Sequence, residues 1–143
     1  MKVYLGLGTN LGDKEKNIAV AIDKIGELVG DVVRQSALYG TKPWGFASEN
    51  DFINAAVCVE TALSPYEVLT ATQQIERSMG REEKSKNGEY HDRIIDIDIL
   101  LYGEVHINDS MLTVPHPLIM QRDFVVKPLS EIADMEIVKK IIG

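Results

Sequence analysis

The sequence predicts an α+β fold, a ferredoxin-like (split βαβ) sandwich with a mainly antiparallel sheet and packed helices. Three observations predict it. Segments with strand and helix periodicity follow one another in the order strand–helix–strand–strand–helix–strand, then a tail. Both helical segments carry start and stop signals. The 143 residues are also the size of one ordinary domain with a real core, so a single domain spanning 1–143 is expected.

Each element has its own justification. Lys2 to Leu7 alternates, with Val3, Leu5 and Leu7 on one side, as a strand does. Asp13 is an N-cap for a helix in which Ile18, Ile22, Ile25 and Val29 recur at helical spacing, and Gly30 ends the run. Asp31 to Tyr39 and Asp51 to Thr61 have strand character and flank the loop GTKPWGFASEN. In SPYE, Ser64 is the N-cap, Pro65 the first helical residue and Glu67 the acid that reaches back. Val68, Thr72, Ile75 and Met79 line that helix, which stops at Gly80. A polar loop then leads into RIIDIDILLY. Glu104 to Ile107 predicts a short strand, and brief helices broken by Pro115, Pro117 and Pro128 complete the chain.

Composition removes several function classes. An apolar fraction of 45% and a charged fraction of 26% suit a soluble globular protein, and no apolar stretch is long enough to span a membrane. A net charge of −7 argues against general nucleic-acid binding. The lone Cys58 and an N-terminus without a signal-peptide cleavage site fit a cytoplasmic protein. Cys58 itself is most simply a small core residue.

Asp96 and Asp98 interrupt an isoleucine run. Residues two apart on a strand share a face, so the two carboxylates stand beside Ile94 and Leu100, opposite Ile95, Ile97, Ile99 and Leu101. Their Cα atoms are expected roughly 6.5–7 Å apart. Two such acids disfavour joint ionisation, and hard divalent cations that also take phosphate oxygens would relieve the conflict. The same spacing fits a solvated face with two ordinary acids.

The turn LGLGTNLGD has Gly6, Gly8 and Gly12 but matches neither a dinucleotide fingerprint nor a Walker lysine pattern. Its glycines allow close approach of a ligand, or simply a tight turn. Trp44 and Phe46 fit either the wall of a flat-ring pocket or a cover for the core. Asn54, inside the strand DFINAAV, is a structural amide or a reader of a heterocycle edge. The segment 77–93 has five cations (Arg77, Arg81, Lys84, Lys86, Arg93) against four acids, so it is no basic patch; its length suits a lid. His91, His106 and His116 have no metal-ligand spacing.

Taken in order, YLGLGTNLGD, TKPWG, DFINAAV, TQQIERSMGR, DRIIDIDILLYG and LTVPHPLIMQRDFVVKPLSEIA resemble the hydroxymethyl-dihydropterin pyrophosphokinase family of folate biosynthesis, over nearly the whole chain. The resemblance implies transfer of the terminal diphosphate of ATP to the hydroxymethyl oxygen of a reduced pterin, leaving AMP. It implies that Asp96 and Asp98 hold two Mg²⁺ ions, and that Arg81 and Arg93 embrace the transferring phosphates. The pterin would stack between Trp44 and Phe124, with Phe52 nearby; Asn54 would read its edge, helped by the backbone at Gly8, Thr41 and Pro43, and Asp96 would also touch it. The ATP side would use Gln73, Glu76, Ile99, Thr113, His116 and Arg122. Where some members carry an arginine this chain has Glu83, and GEYHDR stands in place of a Trp-Gly-Pro stretch, so Lys84, Tyr90 and His91 are candidate substitutes. Met111 and Pro117 likewise replace an arginine and a tyrosine of some members. The expected partners are small molecules, ATP and a reduced pterin, with no nucleic acid and no membrane, and the expected state is a monomer. A nucleotidyltransferase that releases pyrophosphate and a non-catalytic metabolite-binding module are the competing readings.

Overall fold

The computed structural model describes residues 1–41, 51–80 and 94–143. Its main sheet runs β2 (Asp31–Gln35), β4 (Phe52–Glu60), β1 (Lys2–Thr9), β5 (Asp96–Tyr102), every neighbouring pair antiparallel, and β3 (Tyr39–Thr41) also pairs with β4. β1 and β2 are joined through α1 (Lys14–Leu28) with β4 lying between them, which is the split βαβ arrangement the periodicity predicts.

The start signals act as read. The Asp13 carboxylate accepts from the Lys16 N–H at 3.2 Å. At α2 (Pro65–Ser78) the capping box is closed both ways, Glu67 N–H to Ser64 Oγ at 3.2 Å and Ser64 N–H to Glu67 Oε1 at 2.8 Å. Gly30 ends α1 for a reason that periodicity hides. A Cβ there would stand 2.1 Å from the Glu60 carbonyl oxygen, so the helix-to-strand turn passes too close to β4 for any side chain.

One face of the sheet packs on α1 and α2. Val3, Leu5, Leu7, Ala55, Val57, Ile95, Ile97 and Ile99 meet Ile18, Ile25, Val68 and Ile75 in a continuous apolar core. The other face is covered at one end by α3 (Asp123–Ile132) and α4 (Met135–Ile142), where Ala56, Cys58, Leu100 and Leu101 are buried with Leu129, Ile132 and Val138. No helix among the described residues is long and apolar enough to cross a membrane.

Four expectations change in detail. The segment 31–39 is two strands, because Ser36 interrupts the ladder: its N–H donates to the Ala56 carbonyl while its hydroxyl accepts from the Ala56 N–H, both at 2.9 Å. Leu101 does not share a face with Ile95, Ile97 and Ile99. The β1–β5 register moves from Tyr4–Leu101 to Leu5–Ile99, leaving Leu100 as an extra residue, and this bulge turns Leu100 and Leu101 together toward α3 while Tyr102 returns to the first core. The short strand expected at 104–107 falls instead at β6 (Ile107–Asn108), paired with β7 (Thr113–Val114). The Asp109 carboxylate builds their turn by accepting from the N–H groups of Met111 and Leu112 at 2.8 and 2.9 Å. Finally, Pro128 does not break a helix but lies inside α3. It removes the helical donor to the Phe124 carbonyl, and burial of Pro128, Leu129 and Ile132 on one side outweighs that loss.

Candidate active site

Three antiparallel strands bring the site together in rows. Asn54 on β4 stands opposite Gly8 on β1, and Gly8 opposite Asp96 on β5; the next row is Ala56, Gly6 and Asp98. Because the alternate residues Leu7, Ala55 and Ile97 enter the core against α1 and α2, Asn54, Asp96 and Asp98 issue from the opposite face, together with Phe52. The middle strand has no side chain in either row. A Cβ on Gly8 would lie 3.0 Å from Asn54 Oδ1 and 3.7 Å from the Phe52 ring, so the glycine keeps a slot open between the amide and the acid.

Asn54 is 6% exposed, and among the described residues no acceptor reaches its Nδ2. A buried amide donor left without an acceptor costs about 1–3 kcal/mol, which makes Asn54 a candidate donor to whatever occupies the slot. Phe52 is half-buried beside Asn54, and the β3 backbone at Thr41 pairs with it. Phe124 is half-buried at the start of α3, with the Arg122 guanidinium 5.5 Å from its ring centroid.

Next to the two acids a cleft of ≈ 460 Å³ opens between α2, β5 and the segment that follows β7. Gln73 and Glu76 line it from α2, Asp96 and Asp98 from β5, His116 and Arg122 from the third side. Glu76 is buried and accepts from the Ile97 N–H at 2.8 Å, so its carboxylate grips β5 at the residue between the two aspartates. The His116 N–H donates to the Leu100 carbonyl at 2.9 Å, which fixes this segment along β5. The Leu118 N–H donates to His116 Nδ1 at 3.2 Å, leaving Nε2 as the protonated nitrogen of the neutral ring. Burial, and then the Arg122 guanidinium, push His116 below the usual imidazole value, against a smaller upward pull from Asp96.

Gly8, Phe52, Asn54, Asp96 and Asp98 thus share one sheet face, and Gln73, Glu76, His116 and Arg122 join the two acids in the cleft. Ile99 sends its side chain into the α1/α2 core, and Thr113 lies in the β6–β7 hairpin; neither is among the described residues that line the cleft. Pro43, Trp44, Arg81, Lys84 and Arg93 fall outside the described residues. The sequence reading missed Leu69, Thr72, Ile97 and Leu118 as cleft walls. Leu69 and Thr72 had a signal, since they sit at helical spacing from Gln73 and Glu76 on one side of α2.

Among the described residues no group of three or more His, Cys, Asp or Glu side chains could hold a metal ion. Two half-buried carboxylates on one strand face are not a closed zinc cage. They suit a hard cation that takes one or two carboxylates and completes its shell with water and phosphate oxygens.

Known proteins resemble the chain along most of its length. The profile of the family described as 7,8-dihydro-6-hydroxymethylpterin-pyrophosphokinase matches residues 4–134. The 2-amino-4-hydroxy-6-hydroxymethyldihydropteridine pyrophosphokinase of Porphyromonas gingivalis is 46% identical over 132 residues, covering 92% of this chain and 90% of the relative. The enzyme of the same name from Aquifex aeolicus is 43% identical over 130 residues, 91% of this chain and 79% of that one. The crystal structure of wild-type HPPK-DHPS from Plasmodium falciparum superposes with a TM-score of 0.69 at 16% identity over 90% of this chain, showing the same fold; the chain spans 40% of that longer protein. With a profile that runs from β1 to the end of α3 and relatives above 40% identity over 90% and 79% of their own length, the chain belongs to the 7,8-dihydro-6-hydroxymethylpterin-pyrophosphokinase family.

Proposed function

We propose that this chain transfers the terminal diphosphate of ATP to the hydroxymethyl oxygen of 6-hydroxymethyl-7,8-dihydropterin, releasing AMP, as a step in folate biosynthesis. The observation that carries the reading is the row Asn54–Gly8–Asp96: a buried amide whose donor has no acceptor among the described residues, a missing side chain and an acid, side by side. A flat heterocycle fits that slot. Asn54 offers its edge a donor and an acceptor, and Phe52 and Phe124, with Trp44 and the backbone at Thr41 and Pro43, supply its faces.

ATP occupies the adjoining cleft. Gln73 and Arg122 bind its polar groups, and His116, kept neutral, donates from Nε2 without adding charge. Glu76 acts through the strand it grips. Arg81, Lys84 and Arg93 gather the phosphates. Asp96 and Asp98 fit two Mg²⁺ ions, which when bound would neutralise the triphosphate and polarise its β-phosphate. The chain's own task is positioning: the pterin slot and the nucleotide cleft meet at Asp96, so the hydroxymethyl oxygen and the phosphate chain converge there. We place the protein in the cytoplasm as a single-domain monomer.

Purified protein incubated with ATP, Mg²⁺ and the pterin, with nucleotides resolved by chromatography, tests the reading. Pterin-dependent AMP without free pyrophosphate is expected. Pyrophosphate release would make it a nucleotidyltransferase, and ligand binding without turnover a binding module.

A further inference from the structure

A second cavity, ≈ 220 Å³ in volume, lies on the same sheet face at the far end of the strands, beneath α4. Its floor is another cross-strand row, Arg34 on β2, Cys58 on β4 and Tyr4 on β1, with Lys2 on the same side of β1 as Tyr4. Cys58 lies four positions along β4 from Asn54, roughly 13 Å of strand, so this cavity is separate from the cleft.

The chemistry of its walls is uneven. Tyr4 stands opposite Cys58 in the strand register; burial, and then Cys58, raise the Tyr4 pKa, while the charge of the Arg34 guanidinium pulls it down. Neither Lys2 nor Arg34 is ion-paired among the described residues, in a chain whose net charge is −7. The acid on the wall, Asp134, is engaged at the N-terminus of α4, where its carboxylate accepts from the Glu136 N–H at 3.0 Å. At the rim, Val33 and Ile137 are 50% and 51% exposed, although the Cys58 floor is 1% exposed. Uncommitted cations and unfinished apolar walls therefore meet at one hollow.

We infer that this cavity binds a small organic anion with an apolar body, such as a single-ring carboxylate, its charge on Lys2 and Arg34 and its body against Val33 and Ile137. The size fits, since an apolar cavity of about 150 Å³ already accepts benzene.

Benzoate is the probe, followed by amide and methyl shifts of Val33, Cys58 and Ile137 in the full chain. Millimolar benzoate is expected to move these signals, with benzamide and benzylamine at least about tenfold weaker. The double variant Lys2→Gln, Arg34→Gln, at exposed positions, is expected to weaken benzoate by about tenfold, and Arg34→Lys to keep most of the affinity. Three results would overturn the inference: no shifts, equal response to benzamide, or shifts confined to Asn54 and Asp96. Rim shifts on simple dilution of the protein would also overturn it, by assigning the hollow to a second copy.

Discussion

The two ends of one sheet face rest on the same three strands and serve opposite purposes. Toward Lys2, the positions Ala56, Cys58, Leu100 and Leu101 are sealed under α3 and α4. Toward Thr9, in the same register, stand Gly8, Asn54, Asp96 and Asp98, bordering the cleft. At one end the sheet face packs against helices; at the other an amide and two acids border an open cleft. The difference teaches that stability and chemistry here are separated by one or two residues per strand, and mutations should tell the two ends apart.

The largest expected effect is at the open end. If Asp96 and Asp98 hold the metal ions as proposed, Asp96→Ala and Asp98→Ala should each lower turnover on the order of 10³-fold or more, with little change in melting temperature. Loss of folding at assay temperature would erase the contrast. At the sealed end, Leu129→Ala, in a fully buried position, should cost about 3 kcal/mol in urea unfolding while leaving kcat intact below the transition. Asn54→Ala should lose about 2 kcal/mol of pterin affinity by calorimetry and much less for ATP; equal losses would contradict the division between slot and cleft.

Gly8→Ala should weaken pterin binding about tenfold, or about 1.4 kcal/mol. Its control is Gly6→Ala, one row away, where a Cβ would meet Leu100 at an ordinary 3.5 Å and pterin binding should hold. The smallest effect is a pH dependence. The folded His116 titrates below its ordinary 6.5, so between those values the unfolded chain binds the extra proton. Its contribution to stability is fully present above pH 6.5 and is lost as pH falls toward the lowered value; urea midpoints of His116→Asn should show a flatter acid limb than those of the parent chain.

Much of this was legible in the sequence. Periodicity and caps placed α1, α2 and the strands because Asp13, Ser64 and Glu67 act locally, within one helical turn. The two aspartates stood out because charge inside an isoleucine run breaks a strong local pattern. What stayed hidden is non-local. The bulge at Leu100 depends on how β1 meets β5, the split at Ser36 on an N–H of β4, and the survival of Pro128 on the core beneath α3. Gly8 and Gly30 look alike in sequence, yet one leaves room beside the Asn54 amide and the other for a carbonyl. Resemblance, not spacing, grouped Gln73, Glu76, His116 and Arg122, which lie on two segments distant in the chain.

The bond from Ile97 to Glu76 also bears on solubility. β5 is an outermost strand of its sheet, and an outermost strand offers unpaired backbone groups to which a strand of another chain can add. Here the Glu76 carboxylate occupies the Ile97 N–H, and the His116 N–H occupies the Leu100 carbonyl. The strand that carries the two acids thus has two of its backbone groups already engaged, which leaves fewer to template the addition of another chain.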